Sequence, residues 1–203
     1  MAAILTPPIG QPAGRANSKP RPLLWTVAEF HRVNGSGIWL GRRPILLRGV
    51  ILEQGPMDPP HATGVALVTK ALAAVFGTGW ELRGQLPLVF GLHTDPIPDM
   101  AVVTGSARDY AAIHPTTAAL VVEVRDTTLA TDLTEKVELY AEAGIADYWV
   151  ADVDGKRLLV FRDPYQHPAG GFTYRTHLTL GPTDTVTPLA APHASVKVAD
   201  LLP

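Results

Sequence analysis

Three charged residues stand where charge is costly. Glu123 interrupts the apolar run Ala118-Ala119-Leu120-Val121-Val122-Glu123-Val124-Arg125. Strand alternation puts it on one face with Ala119, Val121 and Arg125. A carboxylate inside an otherwise buried strand must be paired, hydrogen-bonded or on a metal. An ion pair with an arginine at the strand's end, Arg125 or Arg48, is one outcome, and metal ligation is the other. Asp99 opens a strand directly after Pro98 and shares a face with Ala101 and Val103. Taken alone it reads as a turn aspartate before an edge strand. Lys136 lies on the apolar stripe of a helix with Leu133, Val137, Tyr140 and Ala141, while Glu135, Glu138 and Glu142 fall on the opposite, solvated side. Its ammonium either snorkels past the rim or turns to the sheet. Two carboxylates on neighbouring strands would supply hard oxygen ligands for Mg²⁺ or Mn²⁺. A lysine beside them would hold a scissile phosphate or the attacking water. That trio is the minimum for metal-dependent phosphodiester hydrolysis.

The surrounding sequence predicts the elements that would position the trio. Residues 1–24 carry Pro7, Pro8, Pro12, Pro20 and Pro22 among Gly, Ser and scattered basic residues, and read as a tail without a core. Residues 25–203 read as a single domain. Thr26 and Glu29 have capping-box spacing for a short helix ending near Asn34-Gly35. Pro44 to Glu53 reads as a hairpin or bent edge strand broken at Arg48-Gly49. Pro59-Pro60 opens a helix that ends at Gly77, with Val65, Leu67, Val68, Leu72, Val75 and Phe76 as its stripe. Strands are expected over Gln85–Phe90, Asp99–Thr104 and Ala118–Arg125, the last central and covered on both faces. A helix follows over Leu133–Ala143, capped by Asp132. Asp147–Val153 and Arg157–Arg162 form a hairpin around Asp154-Gly155. A strand pair is expected over Phe172–Leu180 and Val186–Ala190. The fold class is α/β (α+β): a mixed β-sheet flanked by helices.

Composition narrows the chemistry. The chain has 203 residues, of which 46% are hydrophobic, enough for a substantial core. The absence of cysteine excludes disulfides, zinc knuckles, iron–sulfur ligation and thiol nucleophiles. Met1–Gly10 has no signal-peptide pattern and no apolar run reaches membrane-span length, so a cytoplasmic location is expected. A net charge of −2 gives no global field to attract nucleic acid, so such binding must rest on a local patch or on metal bridging. Twelve of the seventeen basic residues are arginine, the side chain whose planar fork suits phosphate. The seven histidines lack paired zinc-ligand spacing, no phosphate-binding glycine loop occurs, and none of the four serines sits in a nucleophile elbow. Tyr148-Trp149 reads as core.

Pro98-Asp99, then Glu123, then a lysine on the following helix resembles the PD-(D/E)XK nuclease superfamily. More closely, EVRDTTLATDLTEKVELYAEAGIADYWVADVDGKRLLVFRDP resembles the Uma-two family of restriction endonucleases. Glu123, Asp132, Lys136, Tyr140, the Ala143-Gly144-Ile145 turn, Tyr148-Trp149 and Asp152 fall in register. Upstream, TVAEFHRV, the stretch from Pro56 to His61 and Gln85-Leu86-Pro87-Leu88 are similar as well. The likeness runs from Trp25 to Pro164, with a weaker echo in VTPLAAPHASVKVADLL.

The resemblance implies a restriction-endonuclease-like sheet, a cytoplasmic protein, Mg²⁺ (or Mn²⁺) as cofactor and DNA as partner, with RNA as the other candidate. It matches Asp99 and Glu123 to metal ligands, Lys136 to the catalytic lysine, and Gln85 and His61 to accessory positions. The implied products are a 5′-phosphate and a 3′-hydroxyl. Cutting both strands would need two sites, so a homodimer is expected. The chain departs from the family where an acidic first hairpin is usual: it reads Ile45-Leu46-Leu47-Arg48-Gly49-Val50. Arg125 replaces a small residue and is placed to compete for Glu123. The rival expectation is therefore a catalytically impaired nuclease fold serving as a binding or assembly module.

Overall fold

A computed structural model describes residues 20–125 and 130–203. Most of the expected tail lies outside the described residues. Helix α1 spans Val27–Gly35, and its capping box is formed as predicted: the Thr26 hydroxyl accepts from the Glu29 amide while the Glu29 carboxylate accepts from the Thr26 amide. Strands β1 (Pro44–Leu47) and β2 (Val50–Glu53) make a separate antiparallel hairpin. Arg48 and Gly49 turn it with positive φ of 49° and 80°, the left-handed pair that a tight two-residue hairpin turn requires. Asp58 caps α2 (Pro59–Val75), with the prolines at its start.

The main sheet has six strands, β3 (Trp80–Gly84), β4 (Met100–Thr104), β5 (Leu120–Arg125), β6 (Asp147–Asp152), β7 (Arg157–Gln166) and β8 (Phe172–Leu180), in that spatial order. All neighbours are antiparallel except β5 and β6, which are parallel and joined through α3 (Ala130–Glu142). Short strands β9 (Thr185–Val186) and β10 (Val196–Lys197) pair beside it. The alternation of β5 divides the interior. Leu120, Val122 and Val124 face one core with Val68 and Leu72 of α2. Val121 faces the other with Ala101, Val103, Tyr140 and Tyr148. Glu123 points into this second layer, beneath α3.

Two strand expectations fail. The first strand is Trp80–Gly84, not Gln85–Phe90. Pairing with β4 ends at Gly84, because Gln85 turns into the left-handed region with φ 51°. Pro87 also has no amide to donate. Phe172–Leu180 pairs with β7 rather than with Val186–Ala190. Gly181-Pro182 ends β8, and Val186 joins β10 instead. Helix α3 starts at Ala130, which places Asp132 inside its first turn rather than ahead of it. The Asp132 side chain lies outside the described residues.

Candidate functional site

The five residues singled out in the sequence converge on one cleft of about 940 Å³. Asp99 stands just before β4 and Glu123 on β5, facing the same layer because Ala101 and Val121 are register partners. Lys136 enters from α3, His61 from the first turn of α2, and Gln85 from the end of β3. The hairpin forms the opposite wall through Ile45, Leu47, Val50 and Leu52.

Glu123 is 5% exposed and both its oxygens are engaged. Lys136 Nζ lies 3.1 Å from Oε2, and the Tyr140 hydroxyl donates to Oε1 at 2.7 Å. Lys136 therefore turns to the sheet, and Glu123 is met by a lysine and a tyrosine rather than by Arg48. The Arg48 guanidinium is on α3 instead, 2.8 Å from Glu142 and 3.3 Å from Glu138. This corrects the expectation that those two glutamates face only water.

Asp99 is equally constrained. Its Oδ2 accepts the Val124 amide at 2.8 Å. Its Oδ1 meets His61 Nε2 at 3.0 Å and accepts from Gln85 Nε2 at 3.4 Å. His61 and Gln85 thus orient Asp99 directly. Burial pushes the Asp99 carboxyl up, but His61, the Val124 amide and the Lys136 charge outweigh it, and the group is held below its ordinary range. Glu123 goes the other way. Burial raises it, the Lys136 charge opposes, and the neighbouring Asp99 charge raises it further. Two nearby carboxyls with oppositely shifted affinities for protons are a usual mark of a chemical site.

The donor set fits a magnesium-like ion: two hard carboxylates close enough to repel each other, in a cleft open to substrate. Mg²⁺ is held in this way, by one or two carboxylates with waters and substrate phosphates completing its shell. Among the described residues, no group of three or more His, Cys, Asp or Glu is arranged to hold a metal by itself. Asp99 and Glu123 would therefore depend on those additional oxygens.

Sequence reasoning gave Tyr140 no role at the site. The available signal was helical spacing: Tyr140 follows Lys136 by four residues, so both reach the same strand residue. It also missed the Val124 amide, which β-pairing leaves for Asp99, and Gly64 of α2. A Cβ at Gly64 would lie 2.7 Å from Val124 Cγ1, so its absence lets α2 approach β5.

No curated protein sequence matches the chain. A similar solved structure is described as a "putative nuclease belonging to DUF820 from Anabaena variabilis ATCC 29413". It aligns with TM-score 0.69 at 17% identity, covering 89% of this chain and 97% of that one, which shows a shared fold. The Uma2 family model, described as "Putative restriction endonuclease", matches residues 27–199 and so takes in every residue of the cleft. The chain belongs to the Uma2 family.

Proposed function

We propose that the protein is a metal-dependent endonuclease that hydrolyses phosphodiester bonds of nucleic acid. The observation that carries this reading is the meeting of Asp99, Glu123 and Lys136 in one cleft, with the lysine 3.1 Å from the buried glutamate. Asp99 and Glu123 would hold Mg²⁺ or Mn²⁺. Such an ion lowers the pKa of bound water and offsets phosphate charge. His61, Gln85 and the Val124 amide fix the Asp99 carboxylate, and Tyr140 fixes that of Glu123. Lys136 holds a non-bridging phosphate oxygen and stabilises the charge that grows as water adds. The water oxygen bonds to phosphorus, the bond to the 3′ oxygen breaks, and a proton passes to that oxygen. The products are a 5′-phosphate and a 3′-hydroxyl. DNA is the favoured substrate, and cutting a duplex calls for two copies of the chain. Among the described residues no helix is long and apolar enough to cross a membrane.

The test is cleavage of supercoiled plasmid and single-stranded DNA with Mg²⁺ or Mn²⁺, comparing the unaltered protein with Asp99→Ala and Lys136→Ala. Nicking that both substitutions abolish supports the reading. No cutting by the folded protein across metals and substrates favours the impaired binding or assembly module, which the apolar hairpin wall already suits.

A further inference from the structure

Arg48 stands between two cavities. It lines the 940 Å³ cleft that holds Asp99 and Glu123, and also a second cavity of about 510 Å³ bounded by Phe90, His93, Thr94 and Thr116. Leu139 of α3 lines both as well, so the boundary between them runs from the hairpin tip to α3. Arg48 Nε and Nη2 donate to Glu142 at 3.2 and 2.8 Å, and Nη1 donates to Glu138 at 3.3 Å. The two glutamates are four residues apart on one helix face. They present oxygens to the guanidinium much as a phosphodiester would.

This contact is made to be exchanged. The three side chains are between 36% and 47% exposed, and ion pairs that wet contribute little net stability. The tight turn at Arg48-Gly49 places the fork at the hairpin tip, against α3. A guanidinium binds phosphate bidentately, and the chain has no overall positive charge to do this work from a distance.

Resting on the nuclease reading above, we propose that Arg48 is a substrate-phosphate clamp, and that Glu138 and Glu142 occupy it as internal phosphate mimics until a nucleic-acid strand displaces them. With Arg48 transferred to the strand, the two cavities join into one groove along α3. The strand's scissile phosphate then lies at Lys136 and an adjoining phosphate lies at Arg48.

A binding cycle tests this without any metal or turnover. A fluorescein-labelled single-stranded oligonucleotide is titrated in EDTA with the unaltered protein, Arg48→Ala, the Glu138→Gln/Glu142→Gln pair, and all three changes together. The glutamine pair should bind about fivefold tighter and Arg48→Ala about fivefold weaker, with the salt dependence reduced by roughly one phosphate contact. The triple variant should bind no better than Arg48→Ala. Arg48→Lys should restore part of the affinity, since it keeps charge without the fork. If the glutamine pair strengthens binding equally with and without Arg48, the gain is general charge removal and the clamp is overturned. If Arg48→Ala binds as well as the unaltered protein, the clamp is overturned too. Neither result bears on plasmid cleavage. A protein that binds as predicted but never cuts would overturn the nuclease assignment and leave the clamp standing.

Discussion

Replacing Tyr140 by Phe removes one hydroxyl and nothing else from a side chain that is 1% exposed. The lost bond is the 2.7 Å donation to Glu123 Oε1, which leaves a buried carboxylate oxygen without its partner. A hydrogen bond to a charged group is worth about 1.5–3 kcal/mol, so the loss at pH 8 should fall in that range. The cost should depend on pH, with a definite sign. Tyr140 favours ionised Glu123, so Phe moves the Glu123 carboxyl still higher than burial already places it. A raised carboxyl contributes stability below its unfolded value of 4.5 that is lost as pH rises through the folded one. Phe deepens that loss, so the variant's deficit is full in alkaline buffer and shrinks as pH falls toward the unfolded value of 4.5. Tyr140 stays a neutral donor throughout, since burial and the Glu123 charge hold its own ionisation well above pH 10. Urea unfolding of the two proteins at pH 5 and pH 8 measures the difference directly. A deficit as large at pH 5 as at pH 8 would refute the charge argument and reduce Tyr140 to ordinary packing. On the proposed metal-dependent mechanism, the acidic limb of a cleavage-rate profile should move to higher pH, because Glu123 would have to be ionised to hold the ion.

Asp99→Asn tests the opposite sign: a carboxyl held below its unfolded value of 3.8 contributes stability above that pH and loses it as pH falls through the folded value. The native protein should therefore be more stable than the variant at neutral pH, by an excess that shrinks below pH 3.8 in acid titrations of unfolding. The variant, which keeps an acceptor for the Val124 amide, should lack that acid-sensitive component, and a difference unchanged by acid would refute the assignment. Gly64→Ala sets overpacking of about 1–3 kcal/mol against a helix-propensity gain of about 1 kcal/mol. A net loss of up to about 2 kcal/mol is expected by thermal unfolding, and a rise in Tm would contradict the close approach of α2 to β5. Thr26→Ala removes the cap of α1 and should cost about 1 kcal/mol in the same assay.

The elements around the site were legible because each rests on a local rule. Residue types set the Thr26–Glu29 cap, the Pro59-Pro60 start and the Arg48-Gly49 turn before any tertiary contact forms. Glu123 was legible for the reverse reason, as a charge that local rules would not place in a buried strand. The strand Trp80–Gly84 was missed although it alternates correctly, with Trp80 and Leu82 packed against one core and Arg83 on the other face. The more apolar Gln85–Phe90 stood beside it, and hydropathy outweighed the positive φ at Gln85, which no pattern announces. The β8 partner was misread because a one-dimensional pattern shows that a segment is a strand without showing its neighbour.

What stayed illegible at the site is the difference between a solvated charge and a tethered one. By helical angle Glu138 and Glu142 are expected on the solvated face, but in the structure Glu138 approaches Gly171 ahead of β8 and both carboxylates bond Arg48. They meet Arg48 because a hairpin ninety residues upstream folds over α3, held to the segment before Asp99 by the Leu46–Asp95 backbone bonds and the Gly49 amide on His93. That hairpin is also where the resemblance led one to expect acidic residues that the chain does not carry. Arg48, which the sequence reading set against the site, stands between the candidate cleft and its neighbouring cavity. Asp99 and Glu123 meet His61, the Val124 amide, Tyr140 and Lys136, all on elements other than the hairpin.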